Sequence, residues 1–406
     1  MLSSTYPGTA EEKQWLTNPE PVMIALEQGK KYPAPAEKTS TIIYDQKQLS
    51  RVMLRKRFSV WALAFRHTMN PFQAYSAIQS ISALTDKNGG KPVKKLVEVD
   101  GKYHTMPGSL AWPSSSFDQY VSAELNRLNK IKEHKAALRS MFLELSSESG
   151  PADQKNNANS QKKKDSLSLE QLKTIVQKLQ EEGVVQIQLG GGEPLQRFED
   201  VLELLTTAKK GTDFWLTTSG HGLSQEKANA LKEAGLVGVS LNLDHFDPEK
   251  NNTISGYKHA YGWVLKAAEY ISKAKLVLCL NLKARKGFVT EENLYKYARL
   301  AKKIGASFIN IQYPPTPLQS KPKEEDLNED QFRVLDAFTE AMNNDETYLD
   351  WPVICYHNSK LQSSAGNGSD ACFLYIDSQG DIHEGFSTRK KVGNVLKDRL
   401  PVALNR

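Results

Sequence analysis

From Met141 to Tyr313 the chain repeats one pattern: a short apolar run, then a longer stretch whose apolar residues recur at helical spacing. The runs Met141–Leu145, Val184–Leu189, Phe214–Thr218, Val237–Leu243, Leu276–Leu282 and Phe308–Tyr313 are predicted strands. Helices are predicted over Leu169–Glu182, Phe198–Lys209, Gln225–Ala234, Tyr257–Lys273 and Glu291–Ile304. Gly183, Gly235 and Gly305 stand where a helix ends and a left-handed residue is needed. Ser168, Ser224 and Thr290 stand where a side-chain oxygen caps a helix start. Strands joined through helices pair in parallel, because a tight hairpin joins only antiparallel ones. The runs read as apolar throughout, so both faces are expected to be buried. Six such units predict an α/β fold whose parallel sheet curls into a (β/α)6 barrel or partial barrel of the TIM type. The expected division is an N-terminal α+β region (1–130), the barrel (131–325) and a small C-terminal extension (326–406).

The second strand runs into Gly190-Gly191-Gly192-Glu193-Pro194. Bare backbone between a strand and a helix lets a small ligand approach closely. Such barrels place their chemistry at the carboxyl ends of the strands. The candidate ligand contacts there are Gly191, Gly192, Glu193, Ser219 and Asn242, with Thr217 beside them. A second reading of the glycines is purely local: they permit the turn and close strand–helix packing. The spacing is not that of a dinucleotide fingerprint. His221 and His245 each follow a barrel strand, and Asp244 adjoins the second. That set can bind a metal or move a proton, or the histidines can simply finish their turns. Lys283 and Arg285, just past the fifth strand, are candidates for holding a carboxylate or phosphate.

Composition narrows the classes. Nothing approaches the roughly 20 apolar residues that span a bilayer, and Met1–Pro19 lacks the apolar core of a signal peptide. A cytoplasmic protein is expected, with no membrane partner. The three cysteines, Cys279, Cys355 and Cys372, are far apart and form no CxxC pair. Their spacing supports neither an Fe–S nor a zinc site, so no metal is expected. The net charge of +6 has its source at the front, where residues 1–140 hold 20 basic and 12 acidic side chains. Arg51, Arg55, Lys56 and Arg57 are the densest group, on a helix predicted over Gln46–Met69. They read as a solvated basic face or as a docking surface for an acidic partner. Without interleaved aromatics they do not argue for nucleic acid. Tyr32-Pro33-Ala34-Pro35-Ala36 reads as an extended linker. A hairpin is expected around Asp100-Gly101, a second helix over Ser116–Leu128, and a mobile loop over 146–166, which holds little to bury. Past Leu327 a helix over Glu329–Asn343, an extended Val353–Tyr356 and a hairpin around Gly380 are expected.

These pieces resemble the radical S-adenosylmethionine (radical SAM) superfamily. The likeness lies in GGEP after the second strand, in Leu216-Thr217-Thr218-Ser219-Gly220, and in the block Leu231 to Asp244. The tail, with Tyr375-Ile376-Asp377, Gly380-Asp381-Ile382 and Gly393-Asn394-Val395, is similar to the SPASM-like extension of long bacterial members. The family holds a [4Fe–4S] cluster on a CxxxCxxC loop after the first strand. Set against that motif, Ala136, Ser140 and Leu143 fall at the cysteine positions. Glu384-Gly385-Phe386-Ser387 replaces a tail Cys-Pro-x-Cys, and Ser255 stands where an arginine is usual. The resemblance therefore implies a pseudoenzyme with no [4Fe–4S] cluster and at most vestigial, weak SAM binding. Its expected role is as a binding or regulatory partner in peptide modification, beside an active radical SAM paralogue or on a peptide substrate. Two alternatives stay open. One is a repurposed non-radical enzyme using Glu193, His221, His245 and Asp244. The other is a radical SAM enzyme whose cluster sits on other residues.

Overall fold

The computed structural model describes residues 40–70, 72, 74, 94–107, 109–128, 140–146, 167–313, 326–356, 373–384 and 390–398. The linker predicted at 32–36 and nearly all of the loop predicted at 146–166 lie outside them.

Thirteen strands are described: β1 Ser40–Ile43, β2 Leu96–Val99, β3 Lys102–His104, β4 Ser140–Glu144, β5 Gln186–Gly190, β6 Asp213–Thr218, β7 Leu236–Asn242, β8 Val277–Lys283, β9 Phe308–Gln312, β10 Val353–Tyr356, β11 Phe373–Ile376, β12 Asp381–Glu384 and β13 Lys390–Asn394. The helices are α1 Gln46–Thr68, α2 Ser115–Leu128, α3 Leu169–Glu181, α4 Phe198–Thr207, α5 Gln225–Glu233, α6 Pro248–Ser255, α7 Ala260–Lys273, α8 Glu291–Lys303 and α9 Glu329–Asn344. Ser168, Ser224 and Thr290 cap α3, α5 and α8 through their side-chain oxygens, as expected. The helix expected over Tyr257–Lys273 is α7, and a short helix that the sequence reading did not include, α6, precedes it. Asp247 caps α6, Pro248 occupies its first turn, and Gly256 ends it in the left-handed conformation before α7 begins.

Strands β4 to β9 pair in parallel and in sequence order. The tail extends this sheet at both ends. β10 adds to β9 and β11 adds to β4, both in parallel, and β12 and β13 follow antiparallel. The result is an open ten-stranded sheet ordered β10-β9-β8-β7-β6-β5-β4-β11-β12-β13.

Alternate residues of each strand face the helices. Met141, Leu143, Ile187, Leu189, Leu216, Leu241, Leu280 and Ile309 pack there with Leu172, Leu231, Val264 and Leu294 in the main core. Each fully buried leucine contributes roughly 1.5–3 kcal/mol of transfer free energy. The opposite face is apolar only toward the amino ends of the strands. There Trp215, Val277, Cys279, Phe308 and Val353 pack against Val97 and Val99 of β2. The strands are thus not apolar on both faces throughout, as the sequence suggested. A separate three-stranded sheet, β1-β2-β3, supplies the plug at the amino end. Asp100 and Gly101, both at positive φ, make its β2–β3 turn, as the dipeptide predicted. Lys95 ties the plug down. Its ammonium donates to the carbonyls of Met342 (2.7 Å), Trp351 (3.0 Å), Pro352 (3.2 Å) and Tyr348 (3.3 Å) at the end of α9 and just beyond.

Helix α1 packs on α2 through Leu49, Val52 and Ala64. Lys56 also turns inward, its ammonium 4.9 Å from the Phe117 ring, and burial pulls its pKa below the usual lysine value. Arg51, Arg55 and Arg57 stay exposed, so the basic group divides between two faces.

Candidate functional site

At the carboxyl half of the sheet the face away from the helices becomes polar. Gln188 donates to the Thr217 hydroxyl across β5 and β6 at 2.7 Å. Asn242, Asn281 and Asn310 are register partners on β7, β8 and β9. Their amides form a chain: Asn281 donates to Asn242 at 3.2 Å, and Asn310 donates to Asn281 at 3.1 Å. Asn281 is buried and Asn242 is exposed. Each carboxamide has four hydrogen-bonding positions, so the ends of the chain keep donors and acceptors to offer. Of this row the sequence argument had named only Asn242 and Thr217. The signal for the others is the period-two alternation in Leu280-Asn281-Leu282-Lys283 and Ile309-Asn310-Ile311-Gln312, with one polar residue between each pair of apolar ones.

The glycine turn is occupied from within. Glu193 is buried, and its carboxylate accepts four hydrogen bonds. Oε1 takes the Leu195 amide (3.1 Å) and the Thr218 hydroxyl; Oε2 takes the Ser219 amide (3.0 Å) and the Ser219 hydroxyl. This ties the end of β5 to the end of β6 and saturates the acid, as buried carboxylates require. A Cβ on Gly191, at φ +79°, would lie 2.1 Å from Glu144 Cγ, and one on Gly190 would lie 2.4 Å from the tip of Phe142. The glycines therefore make room for two side chains of β4. Tyr375 of β11 completes the group: its hydroxyl bonds Glu144, and its ring stacks on Phe142 with centroids 5.6 Å apart. Beyond it His383 pairs with Asp377 at 3.1 Å. Arg197 donates to the Leu145 carbonyl (2.6 Å) and pairs with Asp200, pinning the end of β4 to the start of α4.

The two histidines belong to different aromatic groups. His221 is exposed and lies 4.3 Å from the Trp263 ring, and desolvation on that side lowers its pKa. His245 is buried between Phe246 and Phe288, and its Nδ1 accepts the Asp247 amide at 2.9 Å. Desolvation, and then Lys250, hold its pKa below the usual value, so it is neutral at pH 7. Asn251 fixes the same turn by accepting the amides of Asp244 (3.0 Å) and His245 (3.3 Å). Asp244 accepts the Lys283 amide at 3.4 Å and lies 3.8 Å from Arg285. His245 and Asp244 thus finish a turn, and Arg285 already faces a carboxylate. Among the described residues no group of three or more His, Cys, Asp or Glu side chains could hold a metal ion.

The fit of an Fe–S cluster turns on thiolates. Cys279 lies inside β8 in the apolar plug, and burial pushes its thiol up to about 12. Burial also raises Cys355 on β10, and Cys372 lies outside the described residues. These donors do not fit a cluster site. The alignment of the cysteine motif needs correcting. Ser140 and Leu143 are inside β4, register partners of Phe373 and of Leu189 and Ile376, not residues of a loop. A loop after the first strand begins at Leu145, and most of it, from residue 147, lies outside the described residues, as does Ala136. The chain has no cysteine before Cys279 on either alignment.

Comparison with known proteins adds the following. Residues 150–292 match the family model described as "Radical SAM superfamily". A "PqqA peptide cyclase" of Rhizobium meliloti (strain 1021) is 34% identical over 119 residues, which are 29% of this chain and 32% of that protein. A "GTP 3',8-cyclase" of Campylobacter fetus subsp. fetus (strain 82-40) is 31% identical over 179 residues, 44% of this chain and 54% of that protein. The chain thus spans about a third to a half of the length of these curated relatives. The crystal structure of Streptococcus suis SuiB superposes with a TM-score of 0.51 at 14% identity, covering 71% of this chain and 70% of that one. At that identity the likeness is one of fold, and it agrees with an α/β, largely parallel partial barrel.

Proposed function

We propose that this chain, whose residues 150–292 match the radical SAM superfamily model, is a non-catalytic member of that superfamily that engages peptide rather than generating radicals. The observation that carries this is the thiol inventory: no cysteine precedes Cys279, and Cys279 is a protonated strand residue in the plug. The saturated Glu193 points the same way. A carboxylate with all four lone-pair positions filled has none left for the amino group of SAM. The peptide reading is supported by relatives named for peptide cyclisation and by the neutral amide row of Asn242, Asn281 and Asn310. Carboxamides present donors and acceptors in the same currency as a peptide backbone. In this reading the protein works in the cytoplasm beside a radical SAM enzyme that has its cysteines, and it holds or presents the peptide for it. His221, His245 and Asp244 take no catalytic part.

The test is anaerobic reconstitution with iron and sulfide, followed by metal analysis and calorimetry with SAM. The expected result is no stoichiometric iron and SAM affinity no tighter than about 0.1–1 mM, what a few ordinary hydrogen bonds provide. About four irons per chain with a reducible cluster signal would overturn the proposal. Micromolar SAM binding unaffected by Glu193→Ala would indicate an evolved site elsewhere.

A further inference from the structure

Helix α1 is apolar on two faces. One face carries Leu49, Val52 and Ala64 into the core with α2. The opposite side carries Leu54, Phe58, Trp61 and Phe65, spaced 4, 3 and 4 residues apart; Leu54 and Phe58 face solvent, whereas Trp61 and Phe65 are half-buried against the same core. Leu54 is 69% and Phe58 67% exposed. Phe58, Trp61 and Phe65 stack one on the next, with centroids 5.9 and 5.4 Å apart. Past the helix end, Met69 and Phe72 are also exposed, at 76% and 84%. Large apolar side chains held in water, as Leu54, Phe58, Met69 and Phe72 are here, mark an interaction surface.

The charge around the row selects its partner. α1 holds six basic residues, Lys47, Arg51, Arg55, Lys56, Arg57 and Arg66, and no acidic one. Lys56 turns inward to Phe117. At 100° per residue, Lys47 and Arg51 continue the row itself, Arg55 and Arg66 flank one side of it, and Arg57 flanks the other. A second copy would bring like charges together across the seam. A bilayer prefers a broad apolar face with its basic residues on the opposite side, whereas here the arginines border a seam only one residue wide. A seam with 4-3-4 spacing and charged flanks is the geometry that receives one helix.

We propose that the outward seam of α1 docks an acidic amphipathic helix of a partner protein. The apolar stripe of that helix lies on Leu54, Phe58, Trp61 and Phe65, and its carboxylates meet Arg51, Arg55, Arg57 and Arg66. The inference stands apart from the function proposed above, since it needs nothing from the sheet face.

The probe is a labelled 18-residue helical peptide with leucines at heptad spacing and glutamates on the flanks, compared with the same peptide carrying lysines. The full chain is expected to bind the glutamate probe in the micromolar range, more weakly as salt rises, and to bind the lysine probe at least about tenfold less well. Leu54→Ser with Phe58→Ser removes exposed side chains only, so the fold stays intact by circular dichroism while binding falls about tenfold or more. Arg51→Glu with Arg55→Glu is expected to shift preference to the lysine probe. Several results would overturn the proposal. They are failure to bind the glutamate probe, equal binding of both probes, tighter binding to anionic vesicles than to the peptide, or a dimer that Leu54→Ser/Phe58→Ser dissolves. Binding that appears only after residues 1–39 are deleted would mean that the chain covers the seam itself, and would equally overturn it.

Discussion

Gly191→Ala separates a glycine kept for a ligand from one kept for a neighbouring side chain. Gly191 has φ +79°, where an L-residue costs about 1–2 kcal/mol. Its new Cβ would also lie 2.1 Å from Glu144 Cγ and 3.0 Å from Glu144 Cβ. Glu144 must then swing away and release the Tyr375 hydroxyl. A hydrogen bond to a charged group contributes about 1.5–3 kcal/mol. The substitution should therefore cost about 3–5 kcal/mol, which combines the backbone strain and the lost bond. In a Glu144→Ala background Cγ is gone and the bond is already lost, so the cost of Gly191→Ala should drop to the backbone strain plus the close approach to the Cβ at 3.0 Å, which both backgrounds share. The coupling between the two positions should thus be about 1.5–3 kcal/mol. The assay is a double-mutant cycle on urea midpoints with unchanged slope. A coupling within about 0.5 kcal/mol of zero would refute the reasoning and return the glycine to the ligand reading.

Two further outcomes are expected. His104 is buried, with Nδ1 unpartnered, and desolvation, then Lys102 and Lys232, pull its pKa from 6.5 down to about 4. The unfolded chain takes up this proton first on acidification, so stability present above pH 6.5 is lost as the pH falls toward 4, by up to about 3 kcal/mol. His104→Phe should flatten that part of the urea-midpoint profile; an unchanged profile would show that other groups govern it. Cys279, with its thiol near 12, should resist alkylation at pH 8 in the native protein and react only with unfolding. Fast native labelling would mean that the plug opens.

Much of this architecture can be read from residue spacing. Apolar runs of five to seven residues between capped helices leave little choice but a parallel sheet, and the predicted strands agree with the observed ones to within two residues at either end. What spacing hid was the division within each strand. Leu280-Asn281-Leu282-Lys283 passes for an apolar run until the register sets Asn281 between Asn242 and Asn310. The Glu144–Tyr375 contact joins residues on β4 and β11, and no local pattern announces a contact at that separation. The cysteine motif, set at Ala136, Ser140 and Leu143, already overlapped the strand predicted at Met141–Leu145, and the observed ladder puts Ser140 and Leu143 inside β4. On α1 the sequence argument drew on the basic group alone, because which apolar positions stay in water depends on how α2 packs.

The pairing of β11 with β4 also governs the order in which this sheet can assemble. As the ribosome delivers the chain, β4 emerges early and finds β5 a few dozen residues later, yet its other edge has no partner until residue 373 appears. Through that interval one margin of the growing sheet exposes unpaired amides and carbonyls with Phe142 above them, the kind of template on which nascent chains cross-pair. A chain that stops before β11 would keep that margin open permanently. The last strands thus serve as the seal of the first, and the protein should depend on chaperone cover for longest on the side that was synthesised earliest.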